Sequence, residues 1–266
     1  TNLYKLFFMN TSISEIKTVT AAFVIIGNEI LSGRTKDVNL CYLATALVQV
    51  GIRLDEVRVI RDDQSTIANT VKTLRSEYDY VFTSGGIGPT HDDITCDSIA
   101  LSFELDVHHH PEALKRMKAH AKKRGVELNE ARLRMARTPL GASLINNPIS
   151  AAPGFTIENV HVMAGVPSVF QAMVNELLPT LRTGTKIHSR SVISNLGEGT
   201  VANGLEKIQS KYPTIDIGSY PFFKNGIYGT SLVLRGAQVN DLEVAAKDIF
   251  NLIKECGGHP TDGDEN

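Results

Sequence analysis

Three apolar stretches, each running into a polar or glycine-rich turn, constrain the fold of this chain more than any other feature. "AAFVIIGNEI" (21–30) is continuously apolar up to Gly27, the pattern of a strand covered on both faces in a parallel sheet. "IRLDEVRVI" (52–60) alternates like a strand and stops at "RDD" (61–63), while "DYVFTSGG" (79–86) runs straight into glycines. Between them, "NLCYLATALVQVG" (39–51) carries apolar residues at helical spacing with Gly51 as its stop. "STIANTVKTLRSEY" (65–78) reads as a helix capped by Ser65, and "TCDSIALSFE" (95–104) as a third helix. This β-α-β-α-β-α order predicts an α/β fold: a doubly wound, mostly parallel sheet with right-handed crossovers. Ligands are expected at the C-terminal edge of its strands.

The same pattern predicts helix over 111–137, with Pro111 in its first turn and a break near Gly125, and another helix over 167–181. After residue 184 the order becomes β-α-β-β-α, a small α+β subdomain over 185–258. The expected organisation is an N-terminal extension (1–19, with Met9 as an alternative start), an α/β domain (20–184), the subdomain, and a flexible polar tail over 259–266.

The stretch "TSGGIGPTHDDIT" (83–95) concentrates the chemistry. A strand that enters glycines and leaves as a helix offers free backbone N–H groups and a helix N-terminus, which favour an anion. Gly85, Gly86 and Gly88 permit close approach of a phosphate, and Thr90 adds a hydroxyl. Asp92 and Asp93 would repel that phosphate unless a cation lay between them, so the pattern suggests Mg²⁺ or a similar divalent ion. The alternative is that either aspartate only caps the following helix. "GNEILSGRTKDVN" (27–39) falls on the same sheet edge, so Gly27, Glu29, Asp37 and Asn39 are candidates to face a ligand, with Arg34 as a phosphate partner. Asp62 or Asp63 is a third candidate acid at that edge. Tyr220 in "GSYP" (218–221) is a candidate for stacking on a base or ring, or a core residue.

Other features exclude classes. A net charge of −2 gives no general affinity for polyanions, so no nucleic-acid partner is expected. The subdomain has the element order of a KH-like module but lacks a usable GxxG and a basic patch. Cys41, Cys96 and Cys256 are widely spaced and form no CxxC, which argues against zinc and a disulfide framework and for a reducing, cytoplasmic setting. No apolar run reaches membrane-spanning length. "HHHP" (108–111) lacks acids at coordinating spacing, and the basic helical stretch from Lys115 to Arg124 reads as a solvated face.

Together, "GNEILSGRTKDVN", "TSGGIGPTHDDIT", "HPEALKRM" and "AGVPSVF" resemble the molybdopterin-binding (MoaB/Mog-type) domain family over about residues 20–182. The nearest branch is that of CinA-type proteins and the N-terminal domain of eukaryotic FAD synthases, and "IGSYPFF" with its tail is similar to the second subdomain of that branch. The resemblance implies a pterin phosphate or nucleotide pyrophosphate at the glycine loop, with Gly85, Gly86, Gly88 and Thr90 in the phosphate-loop positions. It places Asp93 as the functional acid after the loop and Asp62 as the acid at the second strand end. The CinA and FAD-synthase branch implies a metal-dependent pyrophosphatase acting on FAD or ADP-ribose to give AMP. Asp92, Asp93 and Glu29 would then hold Mg²⁺, Mn²⁺ or Co²⁺. The other branch implies molybdopterin as ligand without hydrolysis. A homo-oligomer, dimer or trimer, is the family expectation. Asn28 stands where many relatives carry Asp, which removes one metal-binding charge. Neither an amidase-like nor an adenylyltransferase domain falls within these residues, so neither activity is expected of them.

Overall fold

Alternation along one strand builds both cores of the larger domain. In β1 (Val19–Ile26), Val19, Ala21, Phe23 and Ile25 enter one hydrophobic cluster, and Ala22, Val24 and Ile26 enter a second on the opposite face. That division is why the run is apolar at every position. The computed structural model describes residues 18–224 and 226–263. The expected extension therefore lies outside the described residues except at its end, where Val19 already belongs to the strand.

After β1 come α1 (Asn28–Leu31), α2 (Asn39–Gln49), β2 (Ile52–Ile60), α3 (Gln64–Glu77), β3 (Tyr80–Ser84) and α4 (Thr95–Phe103). The excursion that follows holds β4 (Val107–His109), α5 (Pro111–Arg124), α6 (Glu130–Leu133), a 3₁₀ turn (Arg134–Ala136), and β5 (Arg137–Pro139), which pairs with β4. The chain returns through β6 (Ser143–Ile145), β7 (Gly154–Ile157), β8 (Val160–Met163) and α7 (Pro167–Leu177). The six-stranded sheet runs β2-β1-β3-β8-β7-β6, parallel across its first four strands and antiparallel at β7 and β6. Leu43 and Leu47 of α2 with Phe170 and Met173 of α7 cover one face. Ile67, Val71 and Leu74 of α3 with Ile99 of α4 cover the other. This is the doubly wound, mostly parallel sheet that the element order predicts.

The second unit has its own core. β9 (His188–Ser194), α8 (Glu198–Lys211), β10 (Asp216–Lys224), β11 (Ile227–Gly236) and α9 (Val239–Glu255) form the β-α-β-β-α order, with an antiparallel sheet. Val192, Leu232 and Leu234 of the strands pack on Leu242, Ala246, Ile249 and Ile253 of α9.

Two local expectations are corrected. The helix over 65–78 starts at Gln64, and its cap is Asp63, whose Oδ1 accepts the Thr66 N–H at 2.8 Å and the Ser65 hydroxyl at 2.7 Å. Ser65 is thus a donor to the cap, since the longer, charged side chain reaches the orphan N–H groups. Of the tail expected to fray, 264–266 lie outside the described residues, and the described residues 259–263 add β12 (Thr261–Asp262) to the second sheet, antiparallel to β9. Its anchors are distant in sequence: Arg190 pairs with Asp262, and Asn195 Oδ1 accepts the His259 N–H at 2.7 Å.

Candidate functional site

The C-terminal ends of β1, β2, β3 and β8 open on one pocket of about 400 Å³, in the size range of small-ligand sites. Ile26 and Glu29, Asp62, the 85–93 loop, and Ala164–Val169 supply one residue group from each strand end. β2 lies to one side of β1 and β3 to the other, so the pocket opens where the strand order reverses.

The glycine loop is shaped by steric demands that only glycine meets. Gly85 and Gly86 have φ of +108° and +68°, a region that costs any side chain. A Cβ at Gly85 would strike the Ile26 carbonyl oxygen, and one at Gly86 would strike Thr95 Oγ1. At Gly88 it would meet Asp93 Oδ2 at 2.6 Å. The loop is pinned from below: the Gly85 N–H donates to the Met163 carbonyl, the Thr95 N–H to the Gly86 carbonyl, and the Thr95 hydroxyl to the Gly85 carbonyl. Among the described residues, the N–H groups of Gly86, Ile87 and Gly88 have no protein acceptor. Unpaired donors in succession on a positive-φ glycine turn have the geometry that suits an anion.

The two aspartates after the loop are not helix caps. The position before α4 is Ile94, and no side chain bonds the first turn. Asp93 instead closes its own turn: Oδ2 accepts the Thr90 N–H at 2.8 Å and the Thr90 hydroxyl. Asp92 and Asp93 both line the pocket with Glu29 and Asp62. Asp62 Oδ2 accepts the Asn28 N–H at 2.9 Å, whereas Asp63 serves as the α3 cap, its Oδ1 taking the Thr66 N–H and hydroxyl and the Ser65 hydroxyl. The two hydroxyls and the N–H bonded to Asp63 hold its carboxyl down at about 2. The neighbouring acids of "RDD" therefore divide their roles, Asp62 toward the pocket and Asp63 toward the helix.

Several candidates sit elsewhere. Thr90 does not line the pocket, because its hydroxyl is given to Asp93. Gly27 makes room rather than contact: a Cβ there would lie 2.5 Å from Glu29 Oε1. Asp37 Oδ1 accepts the Leu40 N–H at 2.9 Å and so serves the start of α2, and Arg34 is exposed outside the lining. Asn39 is buried, and its Nδ2 donates to Ser84 Oγ and to the Gly165 carbonyl, both at 2.9 Å. It braces the loops behind the pocket instead of facing a ligand. Tyr220 lies on β10 in the second sheet, where Arg235 Nη1 donates to its hydroxyl at 3.2 Å, and it is not part of the lining.

The opposite wall was not legible beforehand. Met135, Asn147, Ser150, Ala152 and Pro153 complete it. Asn147 shapes this wall by donating to Ser150 Oγ at 2.7 Å and the Ala152 carbonyl at 2.8 Å. The Asn- and Pro-rich run "NNPISAAPG" was the available signal, a structured loop leading into β7.

A doubly wound sheet with a glycine loop of unpaired N–H groups and acids at its strand ends defines the class. The chain belongs to the family described as the probable molybdopterin binding domain, whose pattern matches residues 22–183. The residues beyond it match a second description, the middle domain of FAD synthase, over 186–257. A protein of Archaeoglobus fulgidus is 33% identical over 75% of this chain and 85% of its own length. A probable FAD synthase of Caenorhabditis elegans is 30% identical over 88% of this chain, which spans only 50% of that enzyme. A CinA-like protein of Desulforapulum autotrophicum is 31% identical over 85% of this chain and 58% of its own. The crystal structure of CinA from Thermoplasma acidophilum superposes with a TM-score of 0.56 at 30% identity, over 61% of this chain and 98% of that one. Among the described residues, no helix is long and apolar enough to cross a membrane.

Proposed function

We propose that the chain is a divalent-cation-dependent pyrophosphatase that cleaves a nucleotide diphosphate linkage, as in FAD or ADP-ribose, and releases AMP. One observation carries the reading: unpaired loop N–H groups and four carboxylates, Glu29, Asp62, Asp92 and Asp93, share one pocket. An anion receptor and a set of anions are compatible in one cavity when a cation joins the ligand to the acids.

The donors suit a hard cation, since all four are carboxylates. Among the described residues, however, no three His, Cys, Asp or Glu side chains stand close enough to enclose an ion. Glu29, Asp92 and Asp93 are thus not a preassembled cage. That arrangement fits Mg²⁺-like binding, in which one or two carboxylates and the phosphate oxygens of the ligand share the ion. Once bound, the cation supplies neutralisation of phosphate charge and an acidified water.

The chain's own residues do the rest. The loop N–H groups orient one phosphate, and the Thr90 bonds hold the Asp93 carboxylate against the loop. Asp62, fixed by the Asn28 N–H, keeps one oxygen free to accept a proton or hold an ion. Incubating the purified chain with FAD or ADP-ribose and Mg²⁺, Mn²⁺ or Co²⁺ should release AMP; no release with any of these ions rejects the reading.

The family match over 22–183 supports a second reading, a molybdopterin-binding module that uses the same loop without hydrolysis. Calorimetry separates the two. Tighter binding of molybdopterin than of FAD, with no AMP formed, favours the module.

A further inference from the structure

Beside the main pocket lies a recess of about 20 Å³, lined among others by Gly86, Ile87, Gly88, Asp93, Arg134 and Arg137. Its volume admits a single water-sized group. The two arginines differ. Arg137 is committed to Asp97 through both terminal nitrogens. The Arg134 guanidinium makes no hydrogen bond or ion pair among the described residues.

That is exceptional within this molecule. Arg58, Arg75, Arg132, Arg137 and Arg190 are also half-buried, and each donates to a carboxylate or a backbone carbonyl. Arg134 alone among the half-buried arginines of the described residues donates to nothing. A partly desolvated cation without a counter-charge is costly, so such groups are normally paired. The nearest anion in the recess, Asp93, is turned to the Thr90 N–H and hydroxyl and forms no ion pair with Arg134.

The position of Arg134 is imposed by its element. Asn129 caps α6 through the Arg132 N–H at 3.0 Å, and the 3₁₀ turn follows directly. Ala136 in that turn is buried against Ala113 and Met117, and its carbonyl accepts the His110 N–H at 2.8 Å. Cys96 Sγ donates to the Arg137 carbonyl at 3.3 Å, tying the same segment to α4.

We propose that Arg134 is the cationic partner of a phosphate seated on the glycine loop, one oxygen of which enters this recess. The inference rests on the loop being a phosphate site, as in the function proposed above. Its consequence is specific: the chain holds the phosphate through loop N–H groups and the Arg134 guanidinium, both of which line the recess. Arg134 then supplies affinity for the anion without a metal ion, and the cation adds to it and is needed for the chemistry.

The test is calorimetry of the full chain with α,β-methylene-ADP, a diphosphate with a non-hydrolysable bridge, in EDTA. Wild type is expected to bind, Arg134→Met to bind at least about tenfold more weakly, and Arg134→Lys to fall between. Asp93→Asn should bind more tightly than wild type under the same conditions, because a repelling charge is gone. Arg134→Met keeps the aliphatic stem, and its melting temperature checks the fold; if it melts early, Arg134→Lys alone decides. Equal affinity of wild type and the variants overturns the proposal, and so does a wild type that binds only after Mg²⁺ is added. Arg134-dependent binding without metal-stimulated AMP release from FAD or ADP-ribose would remove the pyrophosphatase reading and leave this one standing.

Discussion

Asn39 Nδ2 donates to the Gly165 carbonyl at 2.9 Å, joining residues 126 apart in sequence. The same nitrogen donates to Ser84 Oγ, so one buried amide ties the end of β3 to the loop after β8. Asn39→Ala leaves two acceptors without their donor and should destabilise the fold by about 1–3 kcal/mol. It should also weaken nucleotide binding, because Gly85 and Gly165 line the pocket and approach each other closely. Urea unfolding paired with calorimetry checks both; unchanged stability would show that the bridge is replaceable.

Gly86→Ala combines two penalties, a positive φ and a collision with Thr95 Oγ1. Gly141→Ala meets only the first, since its φ is +84° and nothing lies within 4 Å of its Cβ position. The control should cost about 1 kcal/mol and keep ligand binding. Gly86→Ala should cost more and abolish binding. Similar losses in the two variants would mean that loop geometry is not what the ligand reads.

Asp93→Asn preserves an acceptor for the Thr90 N–H while removing the charge. Metal-stimulated AMP release should fall by about two orders of magnitude or more, with the melting temperature within a few degrees of wild type. Asp63→Asn, in contrast, should lower stability and spare activity, because Asp63 serves the α3 cap. Rate measurements on both variants distinguish the site acid from the structural one.

His161 is buried between Tyr80 and Phe82, and burial pushes its pKa down to about 4. It is neutral in the folded chain at a pH where the unfolded chain, near 6.5, takes up a proton. The unfolded state therefore binds more protons between about pH 6.5 and 4, and stability rises with pH across that window. The contribution is complete above 6.5 and lost as pH falls through 4, up to about 3 kcal/mol. His161→Phe removes this slope. Denaturant midpoints at pH 7 and pH 4.5 for both proteins test it, and an equally steep loss in the variant would assign the acid sensitivity elsewhere.

The periodic features were legible in the sequence because they are local. Continuous apolarity in β1, alternation in β2 and the glycines after β3 each follow from a residue's immediate surroundings, and so did the β-α-β-β-α order of the second unit. β12 in the described part of the tail was missed for the complementary reason: it is held by Arg190 and Asn195, more than sixty residues away, and nothing within "GGHPTDGDEN" signals them.

For the site, the sequence by itself determined the loop, its three glycines and the set of acids near it, since these are residue types at fixed spacing. Only the tertiary structure decided their roles. Asp62 and Asp63 are adjacent and chemically identical, yet backbone direction sends one to the pocket and the other to a helix cap. Thr90 and Asn39, both polar and both well placed in sequence, are consumed by Asp93 and by the Ser84–Gly165 bridge. Arg134 shows the reverse, a residue without a motif of its own that packing leaves unpaired beside the loop. Hydrogen-bond satisfaction is settled by which groups meet in space, and that depends on contacts across the whole chain.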